Sequence, residues 1–343
     1  MEARKPLLRV LAGTAIWPPP VWLMRQAGRY LPEYRTLRAR ARDFLGFCIT
    51  PELAIEASLQ PIRRFDLDAA ILFSDILVLP WALGRPVVFE ENVGPVLPPL
   101  RDRAGVDGLD SARLPEAIQP VLETIRGVRA ALPPEVALVG FSGAPFTLAC
   151  YLVDGRGGEF RAARRMAREE SELFYLLVER LTDAAIPYLA AQAEAGADAL
   201  MLFDSWAGLL PPSLFHRFVI GPTARIAAAI KARFPVLPLI GFPRLSGLMI
   251  EPYARLGKVD AVGLDSVADP TLVASLIPAG IAVQGNLDPV SLLCGGRALR
   301  EEAISIAMAF RGRPHVFNLG HGVLPETPPE HVGELLQALR SLS

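Results

Sequence analysis

Short apolar runs recur along the chain, and each ends in small or polar residues. Seven such runs span residues 69–73, 136–141, 199–203, 236–240, 261–264, 281–283 and 315–319. Parallel strands covered on both faces consist of continuous apolar residues, because neither face meets water. The pattern therefore predicts seven parallel strands and leaves the place of an eighth strand open.

Helical segments are predicted between most of these runs. The clearest spans residues 161–195, where one side carries Met166, Leu173, Leu177, Leu181 and Ala184, and Gly196 ends the helix. The residues from 136 to 153 are uncharged for long enough to suggest a membrane span. Their glycines and Pro145 predict a strand, a loop and a helix instead.

Helix starts are marked by a side-chain oxygen followed by proline. The pairs are Thr50-Pro51, Asp269-Pro270, Asp288-Pro289 and Thr327-Pro328. An oxygen at the N-cap accepts a hydrogen bond from a free backbone N–H, and proline fits the first helical position. Thr327 with Glu330 predicts a capping box. The helix after it should bury Val332, Leu335, Leu336 and Leu339.

Alternation of strand and helix without a breaking linker predicts a parallel α/β fold. Polar residues follow nearly every predicted strand, which favours a (β/α)8 TIM barrel over an open sheet, whose polar residues concentrate at one switch point. The nucleotide-binding patterns GxGxxG and GxxxxGK[ST] are missing from the sequence. We expect residues 1–343 to form a single barrel domain.

Composition narrows the classes of protein that remain. Hydrophobic residues make up 51% and charged residues 21% of 343, with a net charge of -1, so the chain is globular and gives no reason to expect nucleic acid or a membrane as partner. The cysteines, Cys48, Cys150 and Cys294, show no CxxC or HxC spacing, and the histidines form no HExxH. We therefore expect no disulfide, no metal site and a reducing, cytoplasmic location.

Positive charge is concentrated at the N-terminus. Residues 1–42 contain nine Lys or Arg and two Glu, a charge of +7 against -8 for the remaining 301 residues. Guanidinium groups pair bidentately with carboxylates or phosphates, so this basic segment suits a polyanionic small molecule. A solvated basic arm is the alternative. Arg25 and Arg29 stand among apolar residues between Trp22 and Pro32, which favours a binding role.

Four further polar residues follow predicted strands. Asp75 stands between apolar residues, so it should be partly desolvated and need a partner. It either caps the next helix or faces the barrel mouth, where it accepts a ligand's N–H groups or stabilises a cation. Tyr151, Ser205 and His321 are either polar residues satisfied within the core or members of the same site.

Read together, these segments resemble the uroporphyrinogen decarboxylase family. The stretches that carry the resemblance are PVWLMRQAGRYLPEYR from Pro20, TPELAIEASLQPIRRFDLDAAILFSDIL from Thr50, FSGAPFTLACYLVDG from Phe141, FDSWAG from Phe203, QGNLDP from Gln284 and FNLGHGVLPETPPEHV from Phe317. Residues 87–135 and 242–260 match poorly. Pro243-Arg244 and Ser266 look atypical.

The resemblance implies a (β/α)8 barrel, a homodimer, and removal of CO2 from the four acetate side chains of uroporphyrinogen without metal or organic cofactor. The substrate-contacting residues that it implies are Arg25, Gln26, Ala27, Gly28, Arg29, Arg38, Asp75, Tyr151, Ser205 and His321. We hypothesise that Asp75 stabilises the cationic intermediate and that Arg25 or Arg29 donates the proton.

Two other functions stay open at this stage. A zinc-dependent methyltransferase can use the same barrel, although the sequence lacks its HxC pattern and paired cysteines. A tetrapyrrole carrier without catalytic activity would use the same arginines and Asp75 for binding alone.

Overall fold

Seven parallel strands form the central sheet of the protein. A computed structural model describes residues 5–90 and 93–342. The strands are β1 (Ala69–Ile71), β2 (Val88–Glu90), β3 (Gly94–Val96), β4 (Ala137–Gly143), β5 (Ala199–Asp204), β6 (Leu239–Pro243), β7 (Ala261–Gly263), β8 (Ala282–Gln284) and β9 (His315–Val316). The sheet order is β1-β4-β5-β6-β7-β8-β9, and β2 and β3 form a separate antiparallel pair. The predicted parallel α/β fold is confirmed.

All seven predicted runs overlap a strand, but several boundaries were wrong: β1 and β9 end two and three residues before the predicted ends, at Ile71 and Val316, and β6 begins later than predicted. Val236 was placed in a strand, whereas it lies in a turn with 77% of its surface exposed, and β6 begins at Leu239. Pro235 and Pro238 flank this turn. Proline has no N–H to donate to a strand ladder, so the ladder starts only beyond the second proline.

Helices cover the segments between the strands. They are α1 (Pro6–Leu11), α2 (Pro32–Arg38), α3 (Phe44–Cys48), α4 (Pro51–Phe65), α5 (Val78–Ala82), α6 (Arg103–Asp107), α7 (Leu114–Ala117), α8 (Gln119–Ala131), α9 (Pro145–Asp154), α10 (Arg161–Glu169), α11 (Ser171–Ala195), α12 (Pro212–Phe215), α13 (Gly221–Arg233), α14 (Ile250–Leu256), α15 (Pro270–Leu276), α16 (Pro289–Cys294), α17 (Gly296–Ala309) and α18 (Pro329–Arg340). In the part of the chain that the structure describes, no helix is long and apolar enough to cross a bilayer.

The predicted helix over residues 161–195 is in fact two helices. α10 and α11 meet at Glu170, whose backbone leaves the helical region at φ −124° and ψ 48°. No residue between Arg168 and Leu173 is buried. Helices in proteins are stabilised mostly by packing of an apolar face, and this charged stretch has none to offer, so nothing holds the two segments in one continuous helix.

The helix-start predictions had mixed outcomes. α4, α15 and α16 begin at the predicted prolines, and the carboxylates of Asp269 and Asp288 accept the capping hydrogen bonds. The Thr50 side chain instead donates to the Gly46 carbonyl at 2.7 Å. The capping box at Thr327 was wrong, because α18 begins one residue later, with Pro328 at the N-cap and a second proline at the first helical position.

One segment touches both edges of the sheet. On one side, the Trp22 N–H donates to the Phe317 carbonyl at 3.3 Å, and the Phe317 N–H donates to the Pro20 carbonyl at 2.9 Å. On the other side, the Asp68 N–H donates to the Val21 carbonyl at 2.9 Å. The edges next to β9 and β1 therefore approach the same three residues, 20–22, so the sheet is curled.

Candidate active site

The candidate residues follow different strands but lie at one end of the sheet. Asp75 follows β1, Tyr151 is on the helix after β4, Ser205 directly follows β5, and His321 follows β9. Carboxyl ends of parallel strands share one edge, and in barrel enzymes the loops at that edge form the active site. The fold thus places these residues around one mouth.

Asp75 lies in the loop between β1 and α5, partly exposed to the mouth. Its Oδ1 accepts a hydrogen bond from the Leu77 N–H at 2.9 Å, while Oδ2 accepts none from the described residues. Burial raises the pKa of Asp75 above its usual value, and the Leu77 N–H and the positive charge of Arg25 oppose this shift. The carboxylate both caps the local turn and keeps one oxygen free beside a cation.

The loop that carries Arg25 is fixed from beneath by Gln26. The Gln26 side chain is only 1% exposed; its Oε1 accepts from the Leu23 N–H at 3.2 Å and its Nε2 donates to the Ala69 carbonyl at 3.1 Å. Its backbone carbonyl accepts from the Tyr30 hydroxyl at 2.8 Å. The side-chain amide of Gln26 is thus turned towards β1 and ties the loop to the sheet.

Arg25 itself has a left-handed backbone, with φ at 59°. That conformation costs a non-glycine residue about 1–2 kcal/mol. Its side chain runs closely over Gly322, where an added Cβ would lie 2.2 Å from Arg25 Cδ and 2.5 Å from Cγ. A strained backbone and a glycine kept clear for one side chain together indicate that the direction of this guanidinium matters.

The loop around His321 depends on a second close approach. A Cβ on Gly320 would lie 2.2 Å from the Ser266 nitrogen, so the glycines on both sides of His321 are required by packing. Burial, followed by the charges of Arg25 and Arg244, lowers the pKa of His321 to about 3. The imidazole is therefore neutral at pH 7, and in the described residues neither ring nitrogen has a hydrogen-bond partner.

Tyr151 lies on α9 with its ring half-buried. It packs edge-on against Phe160, with ring centroids 5.3 Å apart, and against Trp206 at 6.4 Å. Burial raises the pKa of its hydroxyl; the negative charge of Asp75 raises it further and Arg25 lowers it. Tyr151 is therefore protonated at neutral pH and lies within electrostatic reach of both charged groups.

Ser205 is partly exposed in the turn after β5, and a buried network holds this turn. The Thr147 hydroxyl donates to Asp204 Oδ1 at 2.5 Å and accepts from the Trp206 N–H at 3.1 Å. Burial raises the pKa of Asp204 to about 7. Sequence reasoning did not single out Asp204 or Thr147. Their positions in the sequence could have pointed to them, because Asp204 directly precedes Ser205 and Thr147 lies one helical turn before Tyr151.

The remaining predicted contacts belong to the basic segment. Arg29 is exposed, and its backbone carbonyl accepts from Arg35 Nη1 at 2.8 Å. Arg38 is half-buried; its Nη1 donates to the Ala41 carbonyl at 3.2 Å, and its guanidinium lies 6.0 Å from the centre of the Phe47 ring. Ala27 and Gly28 are partly buried in the loop between Arg25 and Arg29.

Much of the basic segment packs into the core of the protein. Leu7, Trp22, Leu31 and Tyr34 are all buried, which is not the behaviour of a solvated arm. Arg4 and Glu2, which contribute to the charge count, lie outside the described residues. Within residues 5–90 and 93–342, no cluster of three or more His, Cys, Asp or Glu could hold a metal ion.

A curled parallel α/β sheet, with a cationic loop and a half-buried carboxylate at its carboxyl edge, is typical of enzymes of the TIM-barrel-like class. The family model described as Uroporphyrinogen decarboxylase (URO-D) matches residues 2–342. The chain therefore belongs to the uroporphyrinogen decarboxylase family.

Curated relatives agree along nearly the full length. Uroporphyrinogen decarboxylase from Acidiphilium cryptum is 56% identical over 99% of this chain and 95% of its own. The enzyme from Granulibacter bethesdensis is 56% identical over 98% of this chain and 99% of its own. The enzyme from Rhodospirillum rubrum is 47% identical over 99% of this chain and 98% of its own.

Solved structures resemble the fold. A methyltransferase from Methanosarcina mazei superposes with a TM-score of 0.82 over 99% of both chains at 22% identity. A B12-independent methionine synthase from Shewanella superposes with a TM-score of 0.55 over 96% of this chain at 12% identity. Identities this low support a common fold and say nothing about chemistry.

Proposed function

We propose that this chain removes CO2 from the four acetate side chains of uroporphyrinogen III and produces coproporphyrinogen III without metal or organic cofactor. The observation that carries the proposal is the half-buried Asp75 carboxylate, with one oxygen free, beside Arg25 at the barrel mouth. Its substrate would carry eight carboxylates around four pyrrole N–H groups. Such a ring needs cations at its rim and a hydrogen-bond acceptor beneath its centre.

The substrate can serve as its own electron sink. Protonation of a pyrrole carbon creates an iminium-like cation, the C–C bond to the carboxylate breaks with loss of CO2, and the cation receives the released electron pair. A proton is then added to the resulting methylene carbon and the proton on the ring carbon leaves, so each acetate consumes one proton, releases one CO2 and becomes a methyl group. A carboxylate about 4 Å from this cation contributes about 4 kcal/mol at an effective dielectric constant near 20. If that attraction exists only in the transition state, it is worth roughly a thousandfold in rate. Asp75 is the residue in this role.

Arg25 or Arg29 is the proton donor in this proposal, and Arg25 is better supported. Both arginines are exposed, but Arg25 acts on the charge of Asp75 and its side chain passes closely over Gly322. His321 is neutral and Tyr151 protonated, so both supply hydrogen bonds to carboxylates without a further charge. Replacing each arginine by lysine and following CO2 release tests the choice; full activity in both variants would reduce the arginines to interchangeable charges.

The other contacts divide into direct and indirect roles. Arg29, Arg38 and Ser205 bind carboxylates at the rim, and Ala27 and Gly28 supply backbone next to Arg25. Gln26 acts through the loop, because its side-chain amide already bonds to Leu23 and Ala69.

A turnover assay tests the function directly. Purified protein is incubated with uroporphyrinogen under reducing conditions, and the carboxyl groups of the product are counted. Decarboxylation reduces eight carboxylates to four and releases CO2. A product that keeps all eight while bound to the protein would identify a carrier instead.

We also propose that residues 1–343 form one closed (β/α)8 barrel domain in which residues 20–22 take the place of the eighth strand. The hydrogen bonds of this segment to Phe317 and Asp68 support the idea. Slow amide exchange at Trp22 and Phe317 is the expected result; rapid exchange at both would contradict it.

A cytoplasmic homodimer is the final part of the proposal. Large apolar side chains are exposed in the loops after β6 and β7, with Leu248 72% and Val267 78% accessible, which supports a covered surface there. Light scattering should give twice the chain mass of 37.1 kDa. The single chain mass at micromolar concentration would refute the dimer.

A further inference from the structure

Arg244 lies directly after β6, at the same mouth as the candidate site, and the family resemblance assigns it no role. Its backbone N–H donates to the Asp204 carbonyl at 3.1 Å, and its carbonyl accepts from the Gly208 N–H at 3.0 Å. These bonds join the loop after β6 to the turn that carries Ser205. The backbone of Arg244 is thus hydrogen-bonded to a turn of the candidate site.

The backbone next to Arg244 is held on both sides. Leu245 has a left-handed backbone with φ at 59°, and its N–H donates to Asp265 Oδ2 at 2.5 Å. A Cβ on Gly208 would lie 2.1 Å from the Leu245 carbonyl oxygen, so the two loops are in close contact. The backbone from which the Arg244 side chain extends is therefore held in place.

Arg244 is half-buried, and its guanidinium has no hydrogen bond or ion pair to the described residues. Apart from Arg164 on α10, other half-buried arginines do donate hydrogen bonds: Arg38 to Ala41, Arg85 to Pro98, Arg129 to Asp198 and Arg313 to Ala274. A partly desolvated cation without an anion is unfavourable. At this mouth a bound anion would supply the missing partner.

Electrostatics place Arg244 on the His321 side of the mouth. Its positive charge lowers the pKa of His321 together with that of Arg25. In the sheet, β4 and β5 lie between β6, which Arg244 follows, and β1, which Asp75 follows.

We propose that Arg244 binds a substrate carboxylate that is not the one being lost, a proposal that rests on the function proposed above. A guanidinium pairs bidentately with a carboxylate, which fixes orientation as well as charge. Pairing with the departing carboxylate would stabilise the ground state and slow the reaction. A cation remote from Asp75 avoids that cost and holds the ring in register.

Arg244→Gln and Arg244→Lys test the proposal, with Arg255→Gln as control. Arg255 is an exposed arginine on α14, the helix of the same strand-helix unit, paired with Glu251. For Arg244→Gln we expect KM to rise about tenfold with kcat within twofold, a smaller rise for Arg244→Lys, and no change for the control. The dissociation constant of oxidised uroporphyrin, which keeps all eight carboxylates and is not turned over, should weaken by the same factor and depend less on salt.

An unchanged KM and dissociation constant in a folded Arg244→Gln protein would overturn the proposal, and so would a fall in kcat at constant KM. If the glutamine variant does not fold, the lysine variant decides, because loss of the bidentate geometry alone should raise KM severalfold. The porphyrin-binding measurement needs no turnover. If the wild type binds uroporphyrin through Arg244 but releases no CO2 from uroporphyrinogen, the proposed decarboxylase function is refuted and the proposed carboxylate-binding role of Arg244 stands.

Discussion

Two carboxylic acids at strand ends have similar surroundings in sequence and different surroundings in the fold. Asp75 follows β1 and Asp204 ends β5, and burial raises the pKa of both. Asp204 is 1% exposed, and its Oδ1 accepts from the Thr147 hydroxyl. Asp75 is partly open to the mouth with Arg25 nearby. Asp204, which is buried and hydrogen-bonded, has a structural role. Asp75 is the candidate catalytic acid because it lies near a cation and is accessible to a ligand.

The largest expected effect is at Asp75. Asp75→Asn keeps the shape and removes the charge, so we expect kcat to fall roughly a thousandfold while KM rises far less. Steady-state kinetics with uroporphyrinogen measure both constants. Asp204→Asn is the matched control, with kcat within about tenfold of wild type; equal losses in the two variants would erase the contrast between the loops.

Gly322→Ala should displace Arg25, the cation that lies near Asp75 and distinguishes it from Asp204. The new Cβ would overlap the Arg25 side chain, and a displaced catalytic group can cost about a hundredfold in kcat/KM. Gly333→Ala, where nothing lies within 4 Å of the new atom, should have no effect on kcat/KM. Chemical denaturation should show unfolding free energies within about 1 kcal/mol of wild type. Full activity in Gly322→Ala would mean that the position of Arg25 is unimportant.

Asp204 should affect stability in a pH-dependent way. Its pKa rises from 3.8 to about 7 on folding, so its protonated form favours the folded state. That contribution is complete below about pH 4 and is lost as pH rises through about 7, a loss of about 2–4 kcal/mol. Urea unfolding of wild type and Asp204→Asn at several pH values should show their difference in unfolding free energy shrinking over this range. The exposed Asp183→Asn serves as control, and a pH-independent difference would contradict the assignment.

The sequence predicted the strands well because parallel strands buried on both faces leave a continuous apolar run. It failed where the deciding interaction is local or distant in the chain. Pro235 and Pro238 delay the start of β6, and the second proline at 329 moves the start of α18. Residues 20–22 carry no strand signal, since they begin with Pro20, directly after Pro18 and Pro19, and their hydrogen-bond partners lie far away in the chain, at Asp68 and Phe317.

The candidate site residues could be proposed from the sequence, but their geometry could not. Asp75, Arg25 and His321 stand out by residue type and by family resemblance. The close approach of Arg25 to Gly322 joins residues about 300 positions apart, and no local pattern reports it. The Asp204–Thr147 hydrogen bond is likewise invisible until β5 and α9 are packed together.

Equilibrium binding of uroporphyrinogen to Asp75→Asn tests the central claim most directly, because the slow variant allows binding to be measured before turnover. Oxidised uroporphyrin, which is not turned over, is measured in parallel on the wild type and on Asp75→Asn. If Asp75 acts on the cation formed after protonation, the dissociation constant of the variant should stay within about tenfold of the wild-type value. A loss of affinity as large as the loss of rate would contradict the account and make Asp75 a binding residue only.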